Sequence, residues 1–381
     1  MNLGFVGLGA MGASMARNMA DYGDFTEVHL WNRTHAKAES LKSEIENRKL
    51  EATERGEGAN GKARNKLQKV FCHEELSQMV NKCHVLVMML LSDAPTVDVV
   101  EKICLSREEN SSLKKNAEET REDDKNESKS TTSSNDVGSR LLVMNCGTIS
   151  PESVQNIAER CARSNSCVQF VNCAVTGRPE HAARRLLTAW ISSSDRAAAE
   201  FARERVTPTF ARVSHLISMS DPTASAKYKL CTNFMVYATG EMLSECLCLM
   251  DAAGIDREKL LDFTQGGILP GLIADVYAKK LVKRQFRETP IGADLGVALK
   301  DLQLMQQIQQ NPSTSRETST ASTGTPVKKI TQLPLLDTCL QSVTAQMTAV
   351  QADAAENSAG KVSGVEWCSF LEMVENNFVE K

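Results

Sequence analysis

The chain has 381 residues, a formal net charge of −4 and 41% hydrophobic residues. This length is sufficient for two domains with sizeable cores. The slightly acidic charge gives no electrostatic reason to expect a nucleic acid or an anionic membrane surface as a partner.

The start of the chain and its cysteines indicate the compartment. A predicted strand begins at residue 2, which leaves no room for a cleavable secretory signal before it. The 12 cysteines form no CxxC pair, so we expect reduced thiols, several of them buried, and no metal site. Both observations predict a cytoplasmic protein.

The first predicted elements are a buried strand over residues 2–6, a glycine-rich turn and a helix to about Tyr22. A strand, a GxGxxG turn and a helix in this order predict a dinucleotide-binding unit. The first glycine would permit the tight turn, the second would let the backbone approach a pyrophosphate, and the third would let the helix pack closely. The free N–H groups at the helix start would bind that phosphate. The expected cofactor-binding residues are Gly7, Leu8, Gly9, Ala10, Met11 and Gly12.

The end of the second predicted strand, over residues 27–31, indicates which nicotinamide cofactor is bound. An NAD site usually carries Asp or Glu here, to bind the ribose 2′-hydroxyl. This chain has the uncharged Asn32, followed by Arg33 and Thr34. Arg33 supplies a planar cation suited to a phosphate, and Thr34 supplies another donor. The sequence therefore predicts NADP binding by these three residues, with NAD the less favoured cofactor.

Predicted strands and helices alternate across residues 1–222, which indicates an α/β Rossmann domain with a doubly wound parallel sheet. Two polar stretches interrupt this domain, at about 44–69 and 107–140, and a third lies at about 311–328. Their low apolar periodicity predicts an extended loop for the first and a disordered insertion for the second. Residues 223–381 read as an all-α domain with a long central helix.

The long helix is predicted over residues 226–254 and carries a lysine that needs an explanation. Its apolar residues lie nearly all round, as in a helix buried among others. Lys229 and Asn233 are four residues apart and share one face near its start. Burial would lower the pKa of the Lys229 ammonium towards the working range of a general acid or base. Lys227, on a different face, reads as a surface lysine.

Four separated motifs resemble those of the β-hydroxyacid dehydrogenase family, which includes 3-hydroxyisobutyrate dehydrogenases and glyoxylate/succinic semialdehyde reductases. Residues 7–12 look like the family's GLGxMG, and Thr148 lies where the family has a Ser-Thr-x-x-Pro turn near the nicotinamide. Residues 173–178 are similar to the family's substrate motif. Lys229 and Asn233 look like the KLxxN motif that carries the catalytic lysine. Residues 300–302 also resemble a C-terminal Lys-Asp-Leu that reaches over the cofactor.

The resemblance implies an NADP-dependent oxidoreductase that transfers hydride between the nicotinamide and a small 3-hydroxy acid or aldehyde acid. It implies a homodimer or higher homo-oligomer, because the helical domain of the family often dimerises around its long helix. By the resemblance the catalytic residues are Lys229, Asn233 and Thr176. The further cofactor-binding residues that it implies are Thr148 and Lys300. It implies that the carboxylate substrate is bound by Thr176, Gly177, Arg178 and Asp301.

The chain also departs from the family's substrate motif. Ala174 replaces a proline, Thr176 replaces a serine and keeps the hydroxyl, and Arg178 replaces a glycine. Arg178 would either clamp an anionic group or point outward. Ala293 aligns with a substrate-lining aromatic of the reductase branch, which suggests an altered pocket.

Three other functions remain open at this point. An imine reductase commonly has Asp or Tyr at the position of Lys229, which argues against that enzyme. A 6-phosphogluconate-dehydrogenase-like reductase has His before the Asn, where this chain has Thr232. The third is a non-catalytic NADP-binding scaffold protein.

Overall fold

The computed structural model describes residues 1–54, 68–122, 140–164, 167–266, 271, 273–288, 291–310, 332–356 and 364–378. Most of the three polar stretches, residues 55–67, 123–139 and 311–331, therefore lies outside the described residues. The chain divides into two compact units, an N-terminal unit of Met1–Ala226 and a C-terminal unit of Lys227–Lys381. The predicted domain boundary lies four residues earlier than this division.

A single eight-stranded sheet forms the centre of the N-terminal unit. Its strands are β1 (Asn2–Val6), β2 (Glu27–Trp31), β3 (Lys69–Cys72), β4 (Val85–Met88), β5 (Leu141–Asn145), β6 (Val168–Thr176), β7 (Leu187–Ser192) and β8 (Ala211–Ser218). The order across the sheet is β3-β2-β1-β4-β5-β6-β7-β8, and only the β6–β7 pair is antiparallel. The first six strands have the order of a doubly wound dinucleotide-binding sheet. The predicted fold class is thus confirmed.

Both faces of this sheet are covered by apolar side chains and helices, so its central strands are buried along their whole length. Such continuous burial is typical of parallel sheets with helices on both faces. The helices of this unit are α1 (Ala10–Tyr22), α2 (His35–Glu54), α3 (Leu76–Val80), α4 (Asp93–Glu122), α5 (Pro151–Ala162), α6 (Pro179–Ala183) and α7 (Arg196–Phe201).

Parts of the first two polar stretches are helical, which corrects the predicted loops. Residues 44–54 belong to α2 and residues 107–122 belong to α4. In α2, Leu41 and Ile45 are buried and anchor one face against the sheet. In α4, Glu108 pairs with Arg160 of α5. Lysine, arginine and glutamate have good helix propensity, so a few buried contacts suffice to extend a polar helix.

Helices form the described part of the C-terminal unit. They are α8 (Ala224–Ala252, of which the first three residues belong to the other unit), α9 (Glu258–Gly266), α10 (Lys279–Lys283), α11 (Leu295–Gln310), α12 (Pro334–Glu356) and α13 (Leu371–Phe378). Their apolar faces enclose a core around Trp367, which packs so closely on α8 that a β-carbon at Gly240 would overlap its ring. Within the described residues, no helix has the length and hydropathy needed to cross a membrane.

Candidate active site

The glycine-rich turn after β1 has the backbone geometry that a dinucleotide site requires. Gly7 has φ of +90°, and a β-carbon there would overlap the carbonyl oxygen of Met89. A β-carbon on Gly12 would overlap the carbonyl oxygen of Gly7, so α1 can approach β1 only through a glycine. At Gly9, in contrast, an added β-carbon meets nothing within 4 Å. Two of the three glycines are therefore required by the fold of the chain, and Gly9 borders open space.

The start of α1 leaves backbone donors available beside Gly9. Gly9 is the N-cap and provides no side-chain cap, and the first turn of α1 has no acidic residue. The first N–H groups of a helix have no partner within the helix and lie at the positive end of its dipole. This arrangement has the donors that the pyrophosphate of a dinucleotide would need.

The turn after β2 is tied to the glycine-rich turn by Asn32. Its Oδ1 accepts a hydrogen bond from the Leu8 N–H at 2.9 Å, and its Nδ2 donates to the Thr34 carbonyl at 3.1 Å. Asn32 therefore joins the two turns that would hold a dinucleotide. The side chains of Arg33 and Thr34 are exposed. Their position leaves them accessible to a phosphate on the adenosine ribose.

A buried polar network supports the turn that follows β5. The side-chain amide of Asn145 donates to the Gly147 carbonyl at 3.1 Å and to the Asn172 Oδ1 at 2.8 Å. Asn172 in turn donates to the Ser225 hydroxyl at 2.8 Å. Asn145, Asn172 and Ser225 are almost fully buried. Because each buried polar group has a partner, the network holds residues 146–148 in one conformation.

The other end of this turn is held by Asp93, at the start of α4. Its carboxylate accepts hydrogen bonds from the Ser150 N–H, at 3.1 Å, and from both the Ser150 and Ser153 hydroxyls. Ser150 also caps α5 by accepting a hydrogen bond from the Ser153 N–H. Thr148 lies between these two anchors, at the carboxyl ends of the parallel strands. Ligands of open α/β sheets bind at that edge.

Thr176 ends β6 and keeps a usable hydroxyl. Its Oγ1 accepts a hydrogen bond from the Trp190 indole N–H at 2.8 Å, which leaves its own proton free to be donated elsewhere. Gly177 follows with φ of +141°, and a β-carbon there would lie 2.6 Å from the Leu187 side chain. The turn after Thr176 therefore needs glycine for both conformational and steric reasons.

Arg178 does not point outward. It is buried, and its Nε lies 3.4 Å from the Glu180 Oε2. Of the two alternatives left by the sequence, exposure to solvent is thus wrong. The guanidinium already has a carboxylate partner in its own unit, so we do not assign to it the main role in binding an anionic substrate.

Lys229 is a buried lysine in the first turns of α8. Burial lowers the pKa of its ammonium group to about 8. The charge of Asp301 opposes this shift and that of Lys300 adds to it. A lysine with a pKa near the working pH can both give and take a proton. This is the property that the sequence predicted for Lys229.

Asp301, on α11, is the carboxylate whose charge acts on Lys229. Three protein groups bind it. Its Oδ2 accepts hydrogen bonds from the Asn233 amide at 2.9 Å and from the Tyr237 hydroxyl at 3.2 Å. The Lys300 Nζ lies 3.1 Å from its Oδ1. Asp301 is only 2% exposed. The structure thus brings Lys229, Asn233, Lys300 and Asp301 together within the C-terminal unit.

The loop with Ala293 is held by a buried carboxylate of the same unit. Glu366 pairs with Lys280 at 3.1 Å and accepts hydrogen bonds from the N–H groups of Gly292, at 3.1 Å, and Ala293. Ala293 packs against the core around Trp367. Its small side chain is therefore set in a loop of defined conformation just before α11.

Several residues that support the candidate site were not predicted. Each had a weak sequence signal: Asn145 ends an otherwise apolar strand, Asp93 begins a helix, and Tyr237 follows Asn233 by four residues on the same face of α8. The described residues contain no group of three or more His, Cys, Asp or Glu side chains placed to hold a metal ion.

The comparisons with known proteins identify the N-terminal domain and the fold. Residues 2–134 match the family model of the NAD binding domain of 6-phosphogluconate dehydrogenase. This match includes the glycine-rich turn and the turn after β2, and it confirms a nicotinamide-dinucleotide-binding domain. No curated protein sequence gives a significant match.

Three solved structures have the same fold over nearly the whole chain. The 3-hydroxyisobutyrate dehydrogenase of Mycobacterium tuberculosis, solved with L-serine, has 15% identity and a TM-score of 0.63 over 98% of both chains. That of Salmonella typhimurium has 16% identity and a TM-score of 0.64, over 98% of this chain and 99% of its own. Psf3 in complex with NADP⁺ and 2-OPP has 15% identity and a TM-score of 0.62, over 98% of this chain and 99% of its own. These matches show that the chain has the fold of these proteins.

Proposed function

The chain carries an NAD-binding domain of the 6-phosphogluconate dehydrogenase family, and from this premise we propose that it is an NADP-dependent oxidoreductase of small 3-hydroxy acids or aldehyde acids. The observation that carries the proposal is Lys229, a buried lysine whose pKa is lowered to about 8. A buried ammonium is costly to the fold, so its retention beside Asn233 and Asp301 supports a chemical role.

The cofactor would be held mostly by residues of the N-terminal unit. The open space at Gly9 and the free N–H groups of α1 suit the pyrophosphate. Arg33 and Thr34 suit the 2′-phosphate of NADP, and Asn32 places no negative charge next to it. We assign Thr148 to the nicotinamide end and Lys300 to the cofactor as well, as the family resemblance implies.

Lys229 would handle the proton of the reaction. The bound nicotinamide would supply or accept the hydride at the substrate carbon. In the reductive direction the Lys229 ammonium donates a hydrogen bond and then a proton to the carbonyl oxygen. In the oxidative direction its neutral amine takes the hydroxyl proton. Asn233 would assist with its amide oxygen, because its Nδ2 is already bonded to Asp301.

The substrate carboxylate would be bound by Thr176 and by the backbone around Gly177. The Thr176 hydroxyl can donate its proton, since it receives its other hydrogen bond from Trp190. Arg178 would not contact the carboxylate directly, because its guanidinium pairs with Glu180, and it would contribute only its positive charge at a distance. A short acid suits this arrangement because the donors come from one tight turn.

A substrate panel tests the proposal. We expect turnover of at least one of 3-hydroxyisobutyrate, 3-hydroxypropionate, glyoxylate and succinic semialdehyde, and faster turnover with NADP(H) than with NAD(H). Reduction of cyclic imines without turnover of any acid would instead indicate an imine reductase. Tight NADPH binding without turnover of any compound would indicate a non-catalytic binding protein.

The cofactor preference depends on Arg33. We expect Arg33→Ala to raise the Kd for NADPH about 10–100-fold, because a charge-assisted contact to the 2′-phosphate is lost. The Kd for NADH, which lacks that phosphate, should stay within about twofold, the scatter expected of a surface substitution. Quenching or transfer of the nicotinamide fluorescence measures both constants. Arg196→Ala, an exposed arginine of α7, is the matched control. Equal weakening of both cofactors would contradict the assignment.

We also propose a homodimer that forms through α8. Four large apolar side chains on this helix are exposed at intervals of seven residues: Tyr228 (38%), Met235 (66%), Met242 (48%) and Leu249 (71%). A spacing of seven keeps such residues on one stripe, as in helices that pair along their length. The occupant that we assign to this α8 stripe is the same stripe of a second copy, because a twofold axis brings identical faces together.

Sedimentation or light scattering tests the α8 stripe. The unmodified chain should be a dimer, and the double variant Met242→Glu/Leu249→Glu should be a monomer, since it would bring like charges together in an apolar contact. Leu50→Glu, at an exposed leucine of α2, is the control and should remain dimeric. A dimer that persists in the double variant would place the contact elsewhere.

A further inference from the structure

Tyr237 extends the polar face of α8 beyond the two residues that the sequence singles out. Lys229, Asn233 and Tyr237 are spaced by four residues, so they lie in one row on the helix. Two members of this row donate to the same oxygen of Asp301, at 2.9 Å from Asn233 and at 3.2 Å from Tyr237. The third member is Lys229, whose pKa is raised by the charge of that carboxylate.

The Tyr237 ring is held in a fixed orientation by the core. It is 4% exposed and meets the Trp367 ring edge-on, with 5.0 Å between the ring centroids. Burial and the negative charge of Asp301 hold the pKa of its hydroxyl well above the ordinary value, with smaller effects of Tyr277 and Asp294. Tyr237 is therefore a neutral hydrogen-bond donor to Asp301.

We propose that Tyr237 is a positioning residue for Lys229, and that it acts by holding and partly neutralising the Asp301 carboxylate beside that lysine. This inference rests on the proposed function only for its consequence in turnover. The coupling itself is a property of the folded chain and does not need a substrate.

The physical reason lies in the balance of charges around Lys229. The groups that act on it are Asp301, which favours the ammonium, and Lys300, which disfavours it, in addition to burial. A hydroxyl that donates to Asp301 places the positive end of its dipole against the carboxylate, which weakens the field that reaches Lys229. Loss of this donor would strengthen the field, whereas loss of the carboxylate charge would remove it.

Two substitutions should therefore move the pKa of Lys229 in opposite directions. Tyr237→Phe should raise it by about 0.5–1 unit, because one donor to the charged carboxylate is lost. Asp301→Asn should lower it by about one unit or more, because the favourable charge is gone. A residue with a merely structural role would change stability and leave this pKa in place.

The experiment measures the Lys229 pKa directly in the full chain. The rate of labelling of Lys229 with an amine-reactive acylating reagent is followed by mass spectrometry from pH 6 to 11, without substrate. Tyr277→Phe is the matched control, since Tyr277 packs on the same Trp367 ring and should leave the pKa unchanged. Circular dichroism verifies that each variant is folded.

A double variant decides whether Tyr237 acts through Asp301. In the Asp301→Asn background, Tyr237→Phe should no longer shift the Lys229 pKa, because the group through which it acts has lost its charge. No shift in the single variant, or an equal shift in both backgrounds, would overturn the inference. Loss of turnover in Lys229→Ala tests the proposed function separately, so the two can fail independently.

Discussion

Lys229→Ala should lower kcat/KM about 10²–10⁴-fold for whichever acid or aldehyde the protein turns over, the range expected for loss of a general acid or base. The Kd for NADPH should change little, because Lys229 is not among the residues assigned to the dinucleotide. Stopped-flow or steady-state absorbance at the nicotinamide band measures the rate, and fluorescence titration measures the binding.

The pH dependence of turnover shows which protonation state of Lys229 each direction of the reaction needs. With a Lys229 pKa of about 8, the oxidative reaction needs the neutral amine and should become faster as the pH rises through 8. The reductive reaction needs the ammonium and should slow over the same interval. Both dependences should disappear in Lys229→Ala, because the group that titrates is absent.

Lys227→Ala is the control for this result. Lys227 is half-buried and lies two residues earlier on a different face of α8 from Lys229 and Asn233. Its substitution should leave kcat/KM within about twofold, because its side chain does not share the face that carries the proposed chemistry. Near wild-type turnover in Lys229→Ala would show that another group transfers the proton. A large loss in both variants would point to the start of α8 as a whole instead of Lys229.

Gly9→Val should abolish detectable NADPH binding and leave the fold intact. An added β-carbon at Gly9 meets nothing within 4 Å in the chain, so the side chain would fill the space assigned to the pyrophosphate. We expect the Kd to rise at least about 100-fold, which corresponds to about 2.8 kcal/mol of binding free energy. Calorimetric titration with NADPH measures this loss, and thermal unfolding without cofactor should show an unchanged Tm.

Gly12→Ala is the contrasting variant in the same turn. A β-carbon on Gly12 would overlap the Gly7 carbonyl oxygen, so this substitution should lower the Tm in the absence of any cofactor. If Gly9→Val lowered the Tm as much as Gly12→Ala, the open space at Gly9 would be an incorrect description. If it bound NADPH normally, the pyrophosphate would lie elsewhere.

Local signals were sufficient to predict much of the N-terminal unit. The strand, the GxGxxG turn and the helix lie within residues 2–22, and the steric demand on Gly12 arises from the Gly7 carbonyl in the same turn. The demand on Gly7 arises from the Met89 carbonyl, which is distant in the chain. Apolar runs likewise predicted most strands of the sheet, because a strand buried on both faces needs them. The short β3 has no such run, because it follows a polar stretch and is a strand through its pairing with β2.

Helices 44–54 and 107–122 were predicted wrongly for a related reason. Their polar composition shows little periodicity, and a polar helix becomes stable once a few of its side chains are buried or paired. Those partners come from other elements of the unit. A single sequence therefore contained the helix propensity but no information about the contacts that select it.

Residue patterns along the chain were sufficient to predict a dinucleotide-binding domain, a helical domain and a lysine on a buried helix, because each depends on the spacing of apolar, glycine and polar residues within one segment. The surroundings of that lysine, in contrast, depend on contacts between helices that are distant in the chain. Asp301 lies 68 residues from Asn233 in the chain, yet the packing of α11 against α8 places the two side chains 2.9 Å apart. The same packing adds Tyr237, and the turn after Thr176 buries Arg178 against Glu180. Charges and donors act through space, so the proton affinity of Lys229 depends on neighbours that its own helix does not supply.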